Sequence, residues 1–250
     1  MKPKLVVLVV VMLLLAMVPA LAMAKSEANP SQTRIVRIDI RQPIGPQLDA
    51  QLGVGPRGPR SATMMVQSAR SSVRPNAVYA LLNEGFENGT GNWEFAEVGS
   101  SSVGWDATDY LSKRGQYSLY SAGYNNDPFS NPWYDNDMLS WAGTFMDTQG
   151  ARRVQIRFQH MTDTEEGFDY FYWCGSYDSF WYVCQAFTGS TNNKWKLVQL
   201  DSRNNPVAAE MLDSPFASFA FIFESDGSVT YRGTFVDALR IRVWGPSPIQ

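Results

Sequence analysis

The stretch Phe219-Ala-Phe-Ile-Phe-Glu-Ser-Asp-Gly-Ser-Val-Thr-Tyr-Arg-Gly-Thr-Phe-Val-Asp-Ala-Leu-Arg-Ile-Arg-Val-Trp244 decides the fold. Two runs of period-two alternation flank a Gly-punctuated loop, which reads as strand, turn, strand. Along the second run Phe235, Asp237, Leu239, Ile241 and Val243 fall on one face, with Arg240 and Arg242 on the other. Asp237 is the one polar member of its set, so the alternation predicts its carboxylate on the core side. A buried carboxylate needs a cation or hydrogen bonds to offset its lost hydration. The segment predicts an all-β domain and makes Asp237 a candidate ion ligand.

Composition divides the chain. Met-Lys-Pro-Lys at the start, the uncharged run Leu5 to Ala24 and the small-residue sites Ala20-Leu21-Ala22 and Ala22-Met23-Ala24 predict a secretory signal peptide over 1–24. The alternative is an uncleaved N-terminal anchor, because the run is about long enough to span a bilayer. No other segment is apolar enough to cross a membrane, so none is expected after signal cleavage. Residues 25–78 hold eight Lys/Arg against three Asp/Glu and no aromatic residue, and are rich in Pro, Gly, Ser and Gln. That composition predicts a flexible basic linker. Ile35, Val36, Ile38 and Ile40 could form one short strand there, marginal by itself. Residues 79–250 hold eleven Lys/Arg against 21 Asp/Glu and every aromatic ring of the chain, enough for one domain with a sizeable core. Its acidic balance argues against nucleic acid, since phosphate binding needs clustered Lys and Arg.

Strand signals recur through 79–250 with turn residues between them: Tyr79 to Phe86, Gln116 to Ser121, Val154 to His160, Lys194 to Leu200 and the two C-terminal runs. Val207 to Met211 reads as one helical turn. Cys174 and Cys184, the only cysteines, lie in two aromatic runs around Gly-Ser-Tyr-Asp-Ser. An even count in an exported chain predicts a disulfide pinning that hairpin. Many short strands spaced by turns predict an antiparallel jelly-roll β-sandwich.

Asn83-Glu-Gly-Phe-Glu87, Arg114-Gly-Gln-Tyr-Ser118, Phe145-Met-Asp147, Asp163-Thr-Glu-Glu-Gly-Phe-Asp-Tyr170 and Val236-Asp-Ala-Leu239 occur in an order that resembles the MAM-like β-sandwich domain attached to immune-inhibitor-A-type secreted metallopeptidases. The succession is also similar, more loosely, to carbohydrate-binding jelly rolls. The resemblance covers about residues 80–244. It departs at Val236-Asp237, where the pattern has two aspartates. It implies a structural calcium ion shared by a Glu of the first strand, oxygens near the Gly-x-Tyr-Ser turn and an Asp of the last strand. The matching positions are Glu87 or Glu84, Lys113 and Ser118, and Asp237. The competing reading satisfies Asp237 with backbone amides or with an arginine such as Arg114.

The peptidase half of that family has no counterpart here. One histidine, His160, rules out an H-E-x-x-H zinc helix, and its place on the inward face with Val154, Ile156 and Phe158 predicts a core residue. Glu165, Glu166 and Asp169 form the densest acidic cluster; as a solvated turn they need no catalytic role, though paired carboxylates could serve a glycosidase. Trp133, Tyr134 and Trp141, in and beside a polar loop, are the expected ligand platform for a glycan, with capping of the core as the alternative. The predicted function is a non-catalytic binding or adhesion module, secreted or at the cell surface, recognising a glycan or protein. The alternatives are an accessory subunit of a secreted peptidase and a glycosidase built on acidic pairs.

Overall fold

A computed structural model describes residues 35–39, 77–97, 103–124, 126 and 133–245. The expected signal peptide and most of the expected linker lie outside these residues. Alternating sequence becomes two antiparallel sheets. The first runs in the order β1 (Ile35–Asp39), β9 (Trp181–Phe187), β8 (Tyr170–Ser176), β11 (Ala217–Glu224), β6 (Leu139–Met146), β3 (Glu94–Glu97). The second runs β10 (Lys196–Asp201), β7 (Arg153–Asp163), β12 (Gly233–Gly245), β5 (Ser118–Tyr124), β4 (Gly104–Thr108), with β2 (Ala77–Glu84) also paired to β12. Among the described residues no helix is long and apolar enough to cross a membrane.

The expected sandwich is present, and one strand enters it from the stretch read as a linker. β1 pairs with β9, Val36 opposite Cys184 and Ile38 opposite Tyr182. The β-branched run that is marginal alone gains a sheet edge to bind. The expected helical turn is α1 (Pro206–Ala209), capped by the Asn205 side chain, which accepts the N–H of Val207 and Ala208.

Between the sheets lies an aromatic core. Phe221 of β11 is fully buried and touches five rings, among them Trp93, stacked at 5.7 Å, and Phe158, edge-on at 5.1 Å. Trp105 of β4 joins them and donates its indole N–H to the Ser140 carbonyl. A second apolar cluster gathers Trp141, Tyr172, Tyr182 and Ile222 around the two cysteines.

Cys174 and Cys184 sit opposite one another in β8 and β9, their Cα atoms 4.1 Å apart, and are bonded. Restricting the unfolded chain across so short a loop is worth about 3 kcal/mol. Cys174→Ser with Cys184→Ser is expected to lower unfolding stability by that amount, read as a lower urea midpoint. Midpoints that coincide would show the bridge to be energetically idle.

His160 occupies the inward position that its alternation predicts, opposite Val236 and 2% exposed. Its Nδ1 bonds the Thr162 hydroxyl at 2.8 Å, and the Phe187 ring stands edge-on at 5.0 Å. Burial, then the nearby Lys196, pushes its pKa down to about 3. Below the unfolded value of about 6.5 the unfolded chain binds the extra proton, so this group's contribution is whole above that pH and shrinks as pH falls toward 3. Between pH 7 and pH 5 the loss is about 2 kcal/mol. Comparing urea midpoints of the wild type and His160→Gln at both pH values isolates it, since the variant lacks this part of the slope. Equal slopes would place the imidazole in contact with water.

Candidate functional site

Three places bring chemistry-bearing side chains together. The first is where strand β12 changes partner. Its Phe235 and Val236 pair with β5, whereas Leu239 to Gly245 pair with β2. Between these halves the register against β7 shifts: Asp237 faces Gln159 and Arg240 faces Arg157, so two residues oppose the single residue Phe158. This is a β-bulge, and Ala238 within it has φ 54°. The extra residue reverses the sides. Val236, Leu239, Ile241 and Val243 point inward, and Asp237 shares the outward side with Gln159, Arg240 and Arg242. The expectation that Asp237 lies on the Leu239 face is thus corrected, because uninterrupted alternation does not survive a bulge.

Asp237 is nevertheless fully buried, because the 111–117 loop closes over it. Its Oδ2 accepts the N–H of Lys113 at 2.7 Å and Arg114 at 2.8 Å, and its Oδ1 accepts the N–H of Ala238. Glu87 is held alike: Oε1 accepts the N–H of Gln116 and of Tyr117, each at 3.0 Å. Gly115 is needed between them. Its φ is 70°, and a Cβ there would stand 2.2 Å from Glu87 Oε1. Burial first, and then the Glu87 charge, push the Asp237 carboxyl above its ordinary pKa against the pull of those amides.

Against calcium, which takes six to eight oxygen ligands, the expected set divides. Glu87 and Asp237 reach the same loop, where each carboxylate accepts backbone N–H groups. Glu84 turns back to accept the N–H of Gly85 and Phe86, Lys113 offers Asp237 its N–H, and the Ser118 hydroxyl donates to the Leu111 carbonyl. Among the described residues no three His, Cys, Asp or Glu side chains gather as an ion site.

The second place is the aromatic rim. Trp133 is 47% exposed and stacks on Tyr231 with centroids 6.1 Å apart and planes within 6°. Tyr134 and Trp141 do not join it, which corrects their expected role. Tyr134 is buried edge-on to Phe223, its hydroxyl donating to Asp169 Oδ2, and Trp141 lies within β6 with its ring over Gly143, where a Cβ would stand 1.9 Å away. A hydroxyl with a buried acceptor and a ring over a glycine are core arrangements. Asp169 is itself no solvated loop residue: fully buried, it also accepts the Asp226 N–H at 2.8 Å, and burial raises its pKa. Glu165 accepts the Ser228 hydroxyl, and Glu166 is exposed.

The third place is a groove of about 600 Å³ along the outward face of the second sheet. Register sets its floor. Gln199, Arg157, Arg240 and Asn83 are successive partners across β10, β7, β12 and β2, and all four are exposed. The next row holds Asp201, Gln155 and Arg242. Gln159 and Asp237 begin a third. Asp201 bonds Arg153 and Arg203, and Arg153 above all holds its carboxyl well below the usual carboxylate range. Arg240 Nε donates to Asn83 Oδ1 at 3.0 Å. Sequence reading missed this floor, although the alternating polar residues of Val154 to His160 and the outward Arg240 and Arg242 carried its signal.

No protein-family model matches the chain, and no curated protein matches it. Among solved structures it is similar to a CBM22 xylan-binding domain from Paenibacillus barcinonensis at 15% identity, covering 68% of this chain and 97% of that one, TM-score 0.42. A cleaved adhesin domain of Lys-gingipain from Porphyromonas gingivalis matches at 15% identity over 65% of this chain and 98% of its own, TM-score 0.44. A family 16 carbohydrate-binding module matches at 14% identity over 64% and 97%, TM-score 0.39. Likeness this distant leaves the ligand to be argued from the site itself.

Proposed function

We propose that this chain is an exported, non-catalytic module that binds a glycan at the cell surface through the groove on its second sheet. The observation that carries the reading is the row Gln199, Arg157, Arg240, Asn83, four planar hydrogen-bonding side chains spaced by strand separation. Sugar hydroxyls want paired donors and acceptors at fixed positions, and side chains on a sheet are held more firmly than side chains on loops. The groove is open and polar, which suits a polymer chain better than the buried anchors of a protein partner. His160, buried and uncharged at neutral pH, is withheld from proton transfer.

A glycan array probed with wild type, with Asn83→Ala/Gln199→Ala and with Trp133→Ala tests this. Binding should weaken at least about tenfold in the double variant, the worth of one good hydrogen bond, and persist in Trp133→Ala. The exposed Trp133–Tyr231 stack favours a second reading, a sugar or protein contact at the rim. Loss in Trp133→Ala alone would move the site there, and a blank array would remove the glycan reading.

Calcium belongs to the proposal as a structural ion held by Glu87 and Asp237, neutralising two neighbouring carboxylates. Saturating calcium should then raise the melting temperature relative to EGTA, by about 3 kcal/mol of linkage at a hundredfold excess over Kd. Coincident curves would leave the backbone amides as the sole closure.

A further inference from the structure

We propose that the glycan taken by this groove is anionic, a polyhydroxylated chain bearing carboxylate or sulfate groups, gripped by Arg157, Arg240 and Arg242. The inference rests on the groove reading above and names its ligand class. Arg157 and Arg240 are direct cross-strand partners, and Arg242 lies two residues further along β12 on the same side. Like charges placed directly opposite destabilise a sheet. None of the three makes an ion pair among the described residues. The acids around them are engaged elsewhere: Asp201 with Arg153 and Arg203, Glu84 with its own turn, Glu87 and Asp237 with loop amides. Residues 79–250 carry an excess of acid, yet along this groove Arg114, Arg157, Arg240 and Arg242 match the carboxylates Glu84, Glu87, Asp201 and Asp237 in number.

Apart from the Arg240 bond to Asn83, the cluster brings the fold only like-charge repulsion, which a bound anion would relieve. A guanidinium presents a rigid fork of donors that matches a carboxylate or sulfate in two parallel bonds. Gln155, Gln159 and Gln199 flank the fork with amides able to give and accept from hydroxyls. Among the described residues no aromatic side chain lines the groove, so these offer no aromatic stacking platform for nucleic-acid bases.

Affinity electrophoresis and calorimetry of the full chain with polygalacturonate, dextran sulfate, neutral dextran and polyglutamate test the inference. Binding to one of the two charged polysaccharides is expected, the preferred one telling carboxylate from sulfate recognition. Arg157→Gln/Arg240→Gln should weaken it at least about tenfold, the scale of one lost charge-assisted bond. Affinity should also fall as NaCl rises. The same variant should melt no lower than wild type, because it removes a repulsive pair; Arg242→Gln alone supplies a second, milder readout. Equal binding to polyglutamate would overturn recognition of a sugar chain. Binding to neutral dextran that ignores the arginine variants would overturn the anionic inference and leave the groove reading standing. Failure to bind any of the polysaccharides, with a glycan hit elsewhere on an array, would overturn the inference alone; failure on both would overturn the groove reading as well.

Discussion

Asp237→Ala is expected to cost about 3 kcal/mol of unfolding stability, because the substitution strips the acceptor from three amides at once. Lys113 and Arg114 give their N–H groups to one carboxylate oxygen and Ala238 gives its own to the other, all beneath a side chain with no exposed surface. Each orphaned donor costs roughly 1–3 kcal/mol where water cannot reach it. The exposed 113–117 loop can move and let water in, which keeps the total at the low end of that sum. The effect should be local as well as global. Hydrogen exchange at Lys113 and Arg114 should quicken in the variant, while exchange in β11 should fall only with overall stability. Asp237→Asn keeps one acceptor oxygen and should cost less than half as much. An alanine variant as stable as wild type, with the loop amides still protected, would show that the bulge closes the sandwich without its carboxylate.

Phe221→Ala is expected to cost about 4 kcal/mol. The ring has no exposed surface and contacts Trp93, Trp105, Phe158, Phe171 and Phe219 from both sheets. Truncation removes the transfer free energy of the ring and leaves a void between partners fixed to strands, which collapse poorly. Phe221→Leu refills part of that void and should cost about 1–2 kcal/mol on the same argument. Urea unfolding of both variants measures the difference, and their m-values should match wild type if the denatured state is unchanged.

Much of the fold is readable from period-two alternation. The strand from Val154 to His160 carries that period unbroken, the last two strands carry it up to the bulge at Ala238, and the cysteine strands are readable instead as aromatic runs around a turn. Three strands are not readable. β3 is four exposed residues at a sheet edge, β4 is five residues opening on a glycine, and β6 breaks its pattern at Gly143, which is small because the Trp141 ring lies on it. β1 is masked by composition: Ile35–Asp39 sits among Pro, Gly and Ser, and becomes a strand only through the edge of β9. Each is decided by a neighbour distant in sequence.

The sites follow the same rule. Glu87 and Asp237 are legible as carboxylates near a Gly-x-Tyr-Ser turn, and the structure brings both to that loop, Glu87 from the turn after β2 and Asp237 from β12. The side on which Asp237 lies is not legible, because nothing in Val236-Asp-Ala-Leu239 announces a bulge at an alanine with positive φ. Tyr134 beside Trp133 reads as a platform, yet its hydroxyl finds Asp169 thirty-five positions away. The groove floor exists only through cross-strand register, which aligns Gln199, Arg157, Arg240 and Asn83 from four separate segments.

Whether ligand lies on the outward face of the second sheet is read by mapping backbone amide and arginine side-chain NMR shifts during titration with oligogalacturonate. Shifts are expected to concentrate at Arg157, Arg240, Arg242, Gln155 and Gln199, with Trp133, Tyr231 and the cysteine hairpin unmoved. Shifts centred on Trp133 and Tyr231, with the arginine row silent, would contradict binding on this face.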